Sequence, residues 1–194
     1  VGLGDPSSVF NVYIDKRPAF QQLVSLNACQ PLLSEEIKAI GSACGNGWRK
    51  VFNVYAKLVY ALVSSSNLSQ LSSSSVVSVV SKRLSAQHIN NWQDLRDKKL
   101  LRDHSATALL FSKPCFEAND KIHLVMGRNY ALSLNLPDTL IWLDREFAID
   151  HAKQLIVCPY FDYRQLSNIK IIRLVELIQS LIVNEQACLS EHFS

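Results

Sequence analysis

From Ala106 onward the chain alternates short apolar, β-branched runs with segments of helical period, and few architectures accept that alternation. Ala106–Phe111 and Ile122–Met126 read as strands and Arg128–Leu134 as a short helix. Thr139–Trp142 and Leu155–Cys158 read as strands again. Ser167 or Asn168 then caps a long helix that carries Ile171, Leu174, Val175, Ile178, Leu181 and Ile182 on one face. Apolar strands separated by helices bury both faces of their sheet. The pattern therefore predicts an α/β fold, a three-layer, mostly parallel central sheet with helices on both faces.

The first half is compatible with the same sheet. Val9–Asp15 (VFNVYID) is a buried strand stopped by Lys16-Arg17-Pro18, because proline cannot continue a central strand. Ser34 followed by Glu35 and Glu36 marks a helix start with a carboxylate-rich first turn. Gly41, Gly45 and Gly47 break that helix. Asn46 can cap the next, which places Trp48, Val51, Phe52, Tyr55, Leu58, Val59 and Leu62 on one wide apolar face. Between Ser64 and Ser75 eight of twelve residues are serine, too little apolar surface to fold alone, so this stretch is expected as a surface insertion. Val76–Leu84 resumes an apolar pattern, and Trp92–Arg102 reads as a charged amphipathic helix. A length of 194 residues fits one domain, 1–194, without an internal repeat.

Composition narrows the function classes. With 48% hydrophobic and 19% charged residues a substantial core forms, yet no apolar run approaches the roughly 20 residues needed to cross a bilayer. Val1–Pro6 lacks the charged-then-apolar pattern of a signal peptide. Five widely spaced cysteines form no C-x-x-C pair, so a reducing, cytoplasmic setting with buried thiols is expected. The histidines have no H-E-x-x-H spacing and Gly45-Asn46-Gly47 is followed by no Gly-Lys-Ser/Thr, so no metal or cofactor is expected. A net charge of +3 is only mildly basic, and paired cations such as Arg49-Lys50 and Lys98-Lys99 read as solvated surface.

Two stretches carry a family resemblance. Lys121–Val183 runs strand, glycine, short helix, a hairpin-like TLIWLDREFAID, and then a strand ending in Pro159 before a loop and a long helix. Asn46-Gly-Trp-Arg-Lys-Val-Phe opens a helix in the manner of an Asn-x-x-Trp-Lys start. Both resemble the mismatch-specific uracil/thymine branch of the uracil-DNA glycosylase superfamily. There are departures. The family's first loop is Asn-Pro-Gly or Asp-Pro-Tyr, whereas Lys16 and Arg17 separate Asp15 from the proline here. In the second loop Phe161-Asp162 replaces a Pro-Ser step.

The resemblance implies a DNA N-glycosylase site, without cofactor or metal, and DNA as the partner. Asp15, at the carboxyl end of a strand, would orient or activate water; alternatively it caps a turn or pairs with a neighbouring cation. Phe20 would stack on a flipped base unless it belongs to the core, and Asn46 would read a base edge while also capping its helix. Lys16, Arg17, Tyr163, Arg164, Leu166 and Ser167 would contact DNA, with the 163–166 segment as an unstacking wedge. A cleft lined by Asp15, Phe20, Asn46, Phe161 and Tyr163 is expected. Asp162 brings a negative charge that would repel phosphate, so weak, salt-sensitive DNA binding and little excision of uracil from duplex are expected. The alternative is a non-enzymatic nucleic-acid- or protein-binding module on the same fold.

Overall fold

Strand residues alternate between two faces, and in this chain both faces are mostly apolar. In the computed structural model, which describes residues 1–65, 75–85, 89–117 and 120–191, these runs assemble into one eight-stranded sheet. Its strands are β1 (Gly2–Gly4), β2 (Phe10–Tyr13), β3 (Cys29–Gln30), β4 (Thr107–Leu110), β5 (Ile122–Met126), β6 (Ile141–Trp142), β7 (Ala148–Asp150) and β8 (Leu155–Cys158). The helices are α1 (Glu36–Ala43), α2 (Asn46–Ser65), α3 (Val76–Ser85), α4 (Trp92–Lys98), α5 (Arg128–Ser133) and α6 (Asn168–Glu191).

The strand order is β3-β1-β4-β2-β5-β8-β7-β6. The central strands β4, β2, β5 and β8 are all parallel. Both flanks bring in antiparallel pairing: β1 runs against β4, β7 against β8, and β6 against β7. The edge pair β3–β1 is again parallel, so the sheet is mixed, with four of its seven pairings parallel. Its parallel core is the part that the apolar runs announce.

The two faces are covered unequally. Phe10, Val12, Leu124, Met126, Ile156 and Cys158 point into a large core with residues of α1, α2, α3, α4 and α6. The alternate side chains, Tyr13, Val125, Leu155 and Val157, meet Ala131 and Tyr130 of α5 together with Leu134, Phe116 and Leu140 from loops. One face therefore carries five helices and the other one short helix with loop segments.

Local sequence explains some of the helix starts. Asn91 caps α4, its side chain accepting from the Asp94 amide at 2.8 Å. Ser34 does not cap α1. Glu35, in the left-handed region, stands before its first residue, and the Glu36 carboxylate accepts from the Leu33 amide at 2.6 Å. Asn46 is the first residue of α2, preceded by Gly45 at a φ of 86°. Of the serine-rich segment, Ser64 and Ser65 end α2. Ser75 is buried and accepts from the Ser78 amide at the start of α3, and the expected insertion between them, 66–74, lies outside the described residues. Among the described residues no helix is long and apolar enough to cross a membrane.

Candidate functional site at the carboxyl ends of the central strands

The connection leaving β2 leads to the five-helix face through α1–α4, whereas the connection leaving β5 leads to the opposite face through α5. Adjacent parallel strands whose connections diverge leave a crevice between their carboxyl ends, and ligands of open α/β sheets bind there. A cleft of about 350 Å³ lies at that point. Its walls come from the segments after three strands: Asp15 and Lys16 after β2, Gly127–Tyr130 after β5, and Tyr160 and Gln165 after β8, with Met126 also lining it.

Gly127 makes the turn between β5 and α5. Its φ of 90° belongs to the region that disfavours side chains, and its amide donates to the Cys158 carbonyl at 2.7 Å, joining β5 to the end of β8. Arg128 is held on the rim, its guanidinium 4.1 Å from the Trp142 ring centre and bonded to the Arg145 carbonyl. The side chains of Asp15, Lys16, Asn129, Tyr130, Tyr160 and Gln165 line the cleft, and none makes a hydrogen bond or ion pair to a described residue. Burial raises the Tyr130 phenol, and the Asp15 charge raises it further; Tyr160 is raised by burial, then by Asp15 and Asp162. Both tyrosines therefore keep their O–H at neutral pH. One carboxylate, two phenols and two amides thus share a single small cleft, a mixture of acceptor and donors suited to the polar edge of a planar ligand.

The expected site residues divide. Asp15 and Lys16 are in the cleft. Arg17 is turned away from it, donating to the Leu26 carbonyl at 3.0 Å and lying 5.6 Å from the Phe111 ring centre. Phe20 packs against the large core, and Asn46 is exposed at the start of α2, outside the cleft lining. Phe161 is fully buried against Tyr55, and Leu166 is 1% exposed, so neither lines a cleft nor projects as a wedge. Tyr163 and Arg164 are exposed, and the Ser167 carbonyl accepts from the Ile171 amide in the first turn of α6. Asp162 is not a bare charge. Lys50 Nζ donates to it at 2.6 Å, and the Arg164 amide donates at 2.9 Å. The Lys50 hydrogen bond is the main cause that holds its carboxyl below the ordinary range.

Tyr130 and Tyr160 are cleft residues that the sequence reading did not single out. The signal was available. Each follows closely on a strand's carboxyl end, one three residues after Gly127 and the other directly after Pro159. Among the described residues no group of three or more His, Cys, Asp or Glu side chains is arranged to hold a metal ion, and of the free thiols Cys29, Cys44, Cys115 and Cys158 only Cys158, inside the central strand β8, is buried as expected.

An open mixed sheet with a parallel centre, covered by helices, defines an α/β protein, and a cleft lies where its connections diverge. Residues 1–179 match the model of a family of unknown function, DUF6942, and the chain belongs to that family. No curated protein and no solved structure matches it.

Proposed function

We propose that this protein is a divergent glycosylase-like protein that binds one unstacked nucleobase in the cleft, with Asp15 as the group that orients water. The carrying observation is the unpaired Asp15 carboxylate in a cleft of about 350 Å³ that Tyr130 and Tyr160 also line. That volume suits a base with its sugar, near the lower bound for small-molecule sites. The neutral phenols offer donors to base carbonyls, and the rings offer faces to stack upon. In hydrolysis Asp15 takes a proton from water as its oxygen bonds to the anomeric carbon. The C–N electron pair leaves with the base, which is protonated by solvent.

The succession β5, Gly127, α5, β6–β7 hairpin, β8, Pro159, α6 supports the reading, because the resemblance rests on that order. Buried Phe161 and Leu166 remove the wedge. The fitting substrate is therefore a base already out of the stack, in a single strand, rather than one levered from duplex.

The test is release of free uracil from single-stranded and U·G duplex oligonucleotides, alongside binding of free uridine. Binding of uridine and slow release from single strands are expected, with little from duplex. Asp15→Asn should lower release by about 10²–10⁴-fold while leaving binding in place. Binding without release from any substrate would favour the non-enzymatic module. Failure to bind uridine at all would remove the cleft reading.

A further inference from the structure

The loop between β8 and α6 has two sides. Tyr160 and Gln165 line the cleft, whereas Asp162 and Tyr163 are tied to α2. Asn53 Nδ2 donates to the Tyr163 hydroxyl at 2.6 Å, and Arg96 of α4 donates to Asn53 Oδ1 at 2.5 Å. Lys57, one helical turn beyond Asn53, sits 5.2 Å from the ring centres of both Tyr163 and Trp92. Past Asn53 a second cavity, of about 330 Å³, opens between α1, α2 and α4 with Arg49 on its wall.

The charges of this surface sort into two groups. Lys50, Arg96 and Lys38 are paired with Asp162, Asp97 and Glu35. Arg49 and Lys57 have no carboxylate partner among the described residues. Gly41 makes room for the Arg49 stem, since a Cβ there would meet Arg49 Cγ at 2.6 Å. Tyr163 is held by its hydroxyl and by Lys57, yet it is 42% exposed. Two cations without a carboxylate partner on one helix, one of them over a fixed, exposed aromatic ring, match what a single-stranded nucleic acid requires, cations for its phosphates and a ring for a base. Interior packing would instead have buried the ring and paired the cations.

We infer that the α2–α4 surface seats the strand flanking the base in the cleft: Arg49 and Lys57 take phosphates, and the Tyr163 ring stacks a neighbouring base. This rests on the reading of the cleft as a base site and adds the direction in which the strand leaves it, over the β8–α6 loop.

The experiment uses the full chain with labelled single-stranded DNA and RNA oligonucleotides, free uridine, and heparin as a polyanion without bases. Oligonucleotides should bind much more tightly than uridine. The Arg49→Ala/Lys57→Ala double variant should weaken oligonucleotide binding at least tenfold at low salt. It should also reduce the slope of log affinity against log salt by about 0.7 for each phosphate that is no longer neutralised. Tyr163→Ala should cost about tenfold and Tyr163→Phe almost nothing, because stacking needs the ring and not the hydroxyl. All variants should bind uridine as the unmodified protein does and melt within a few degrees of it. An unchanged affinity and slope in the double variant would overturn the strand path while leaving the cleft reading intact. So would heparin binding as tight as that of oligonucleotides, with no response to Tyr163→Ala. Oligonucleotide binding that survives a failure to bind uridine would instead sink the cleft reading, and binding of neither would sink both.

Discussion

Leu166 stands just before the first turn of α6, in the segment where a wedge was expected, and its side chain belongs to the large core. Its amide donates to the Asp162 carbonyl at 2.8 Å, so the turn that exposes Arg164 also carries Leu166 inward. Truncating a fully buried leucine removes transfer energy and leaves a cavity, so Leu166→Ala should lower unfolding free energy by about 2–5 kcal/mol. Arg164→Ala, on the exposed side of the same loop, should stay within about 0.5 kcal/mol. Urea unfolding separates the two. A wedge would give the reverse, with stability kept and nucleic-acid affinity reduced at position 166. The charge of Asp162 is likewise settled by a distant neighbour. Its partner Lys50 lies 112 positions away in sequence and meets it only because α2 runs beside the loop.

At the scale of elements, α2 organises the larger face. Its 20 residues pack against α1, α3, α4 and α6, and Tyr55 reaches the sheet beneath. The Tyr55 hydroxyl lies 3.1 Å from the Phe10 carbonyl and 3.0 Å from that of Ala108, donating between β2 and β4. Tyr55→Phe keeps the ring and removes the donor, so a loss of about 1–3 kcal/mol is expected in denaturant titration. An unchanged midpoint would mean that the bond contributes nothing net. On the far side of β4, its neighbour β1 depends on glycine. Gly4 has a φ of 125°, and a Cβ there would collide with the Thr107 carbonyl. Gly47, by contrast, has nothing within 4 Å of a built Cβ and no positive φ. Gly4→Ala should therefore lower the melting temperature markedly. Gly47→Ala should raise it slightly, by removing about 0.5–1 kcal/mol of glycine's helix penalty.

For the whole molecule the clearest solution signature is pH. His123, in the central strand β5, is 1% exposed; its Nδ1 shares a hydrogen bond with the Tyr13 hydroxyl at 2.7 Å, and Nε2 has no partner among the described residues. Burial, then the Lys121 charge, pushes its pKa from 6.5 down to about 4. Above pH 6.5 the ring is neutral in both folded and unfolded chains, and it contributes nothing to the pH dependence. Between 6.5 and about 4 only the unfolded chain takes up the proton, so stability falls by up to roughly 3 kcal/mol. Asp5, Asp97, Asp144 and Asp162 act in a lower window. Their carboxyls are held below the ordinary value, so their contribution is full above it and fades as pH falls through the folded values. Urea unfolding should show a decline beginning near pH 6.5, and His123→Leu should flatten the profile down to about 4. A profile flat to pH 4.5 in the unmodified protein would show that the ring is not held neutral.

The parallel centre of the sheet was legible in the sequence because its determinants are local. A strand buried on both faces is apolar at nearly every position, and Ile122–Met126, apart from His123, and Leu155–Cys158 are found where that pattern set them. The long apolar faces of α2 and α6 were legible for the same reason, through their helical period. Asp15 at a strand's carboxyl end was readable too, since the Lys16-Arg17-Pro18 stop follows it. The β6–β7 hairpin was readable as well, whereas only the tertiary structure decided the flank formed by β1 and β3. Strands as short as β1 and β3 have no period to read, and β1 pairs with a partner more than a hundred residues away. The same holds for the loop aromatics. Phe161 turned to the core, Tyr160 to the cleft and Tyr163 to α2 are near neighbours in one short segment. Their surroundings are set by β5, α2 and α6, which pairing and packing bring to them from far along the chain.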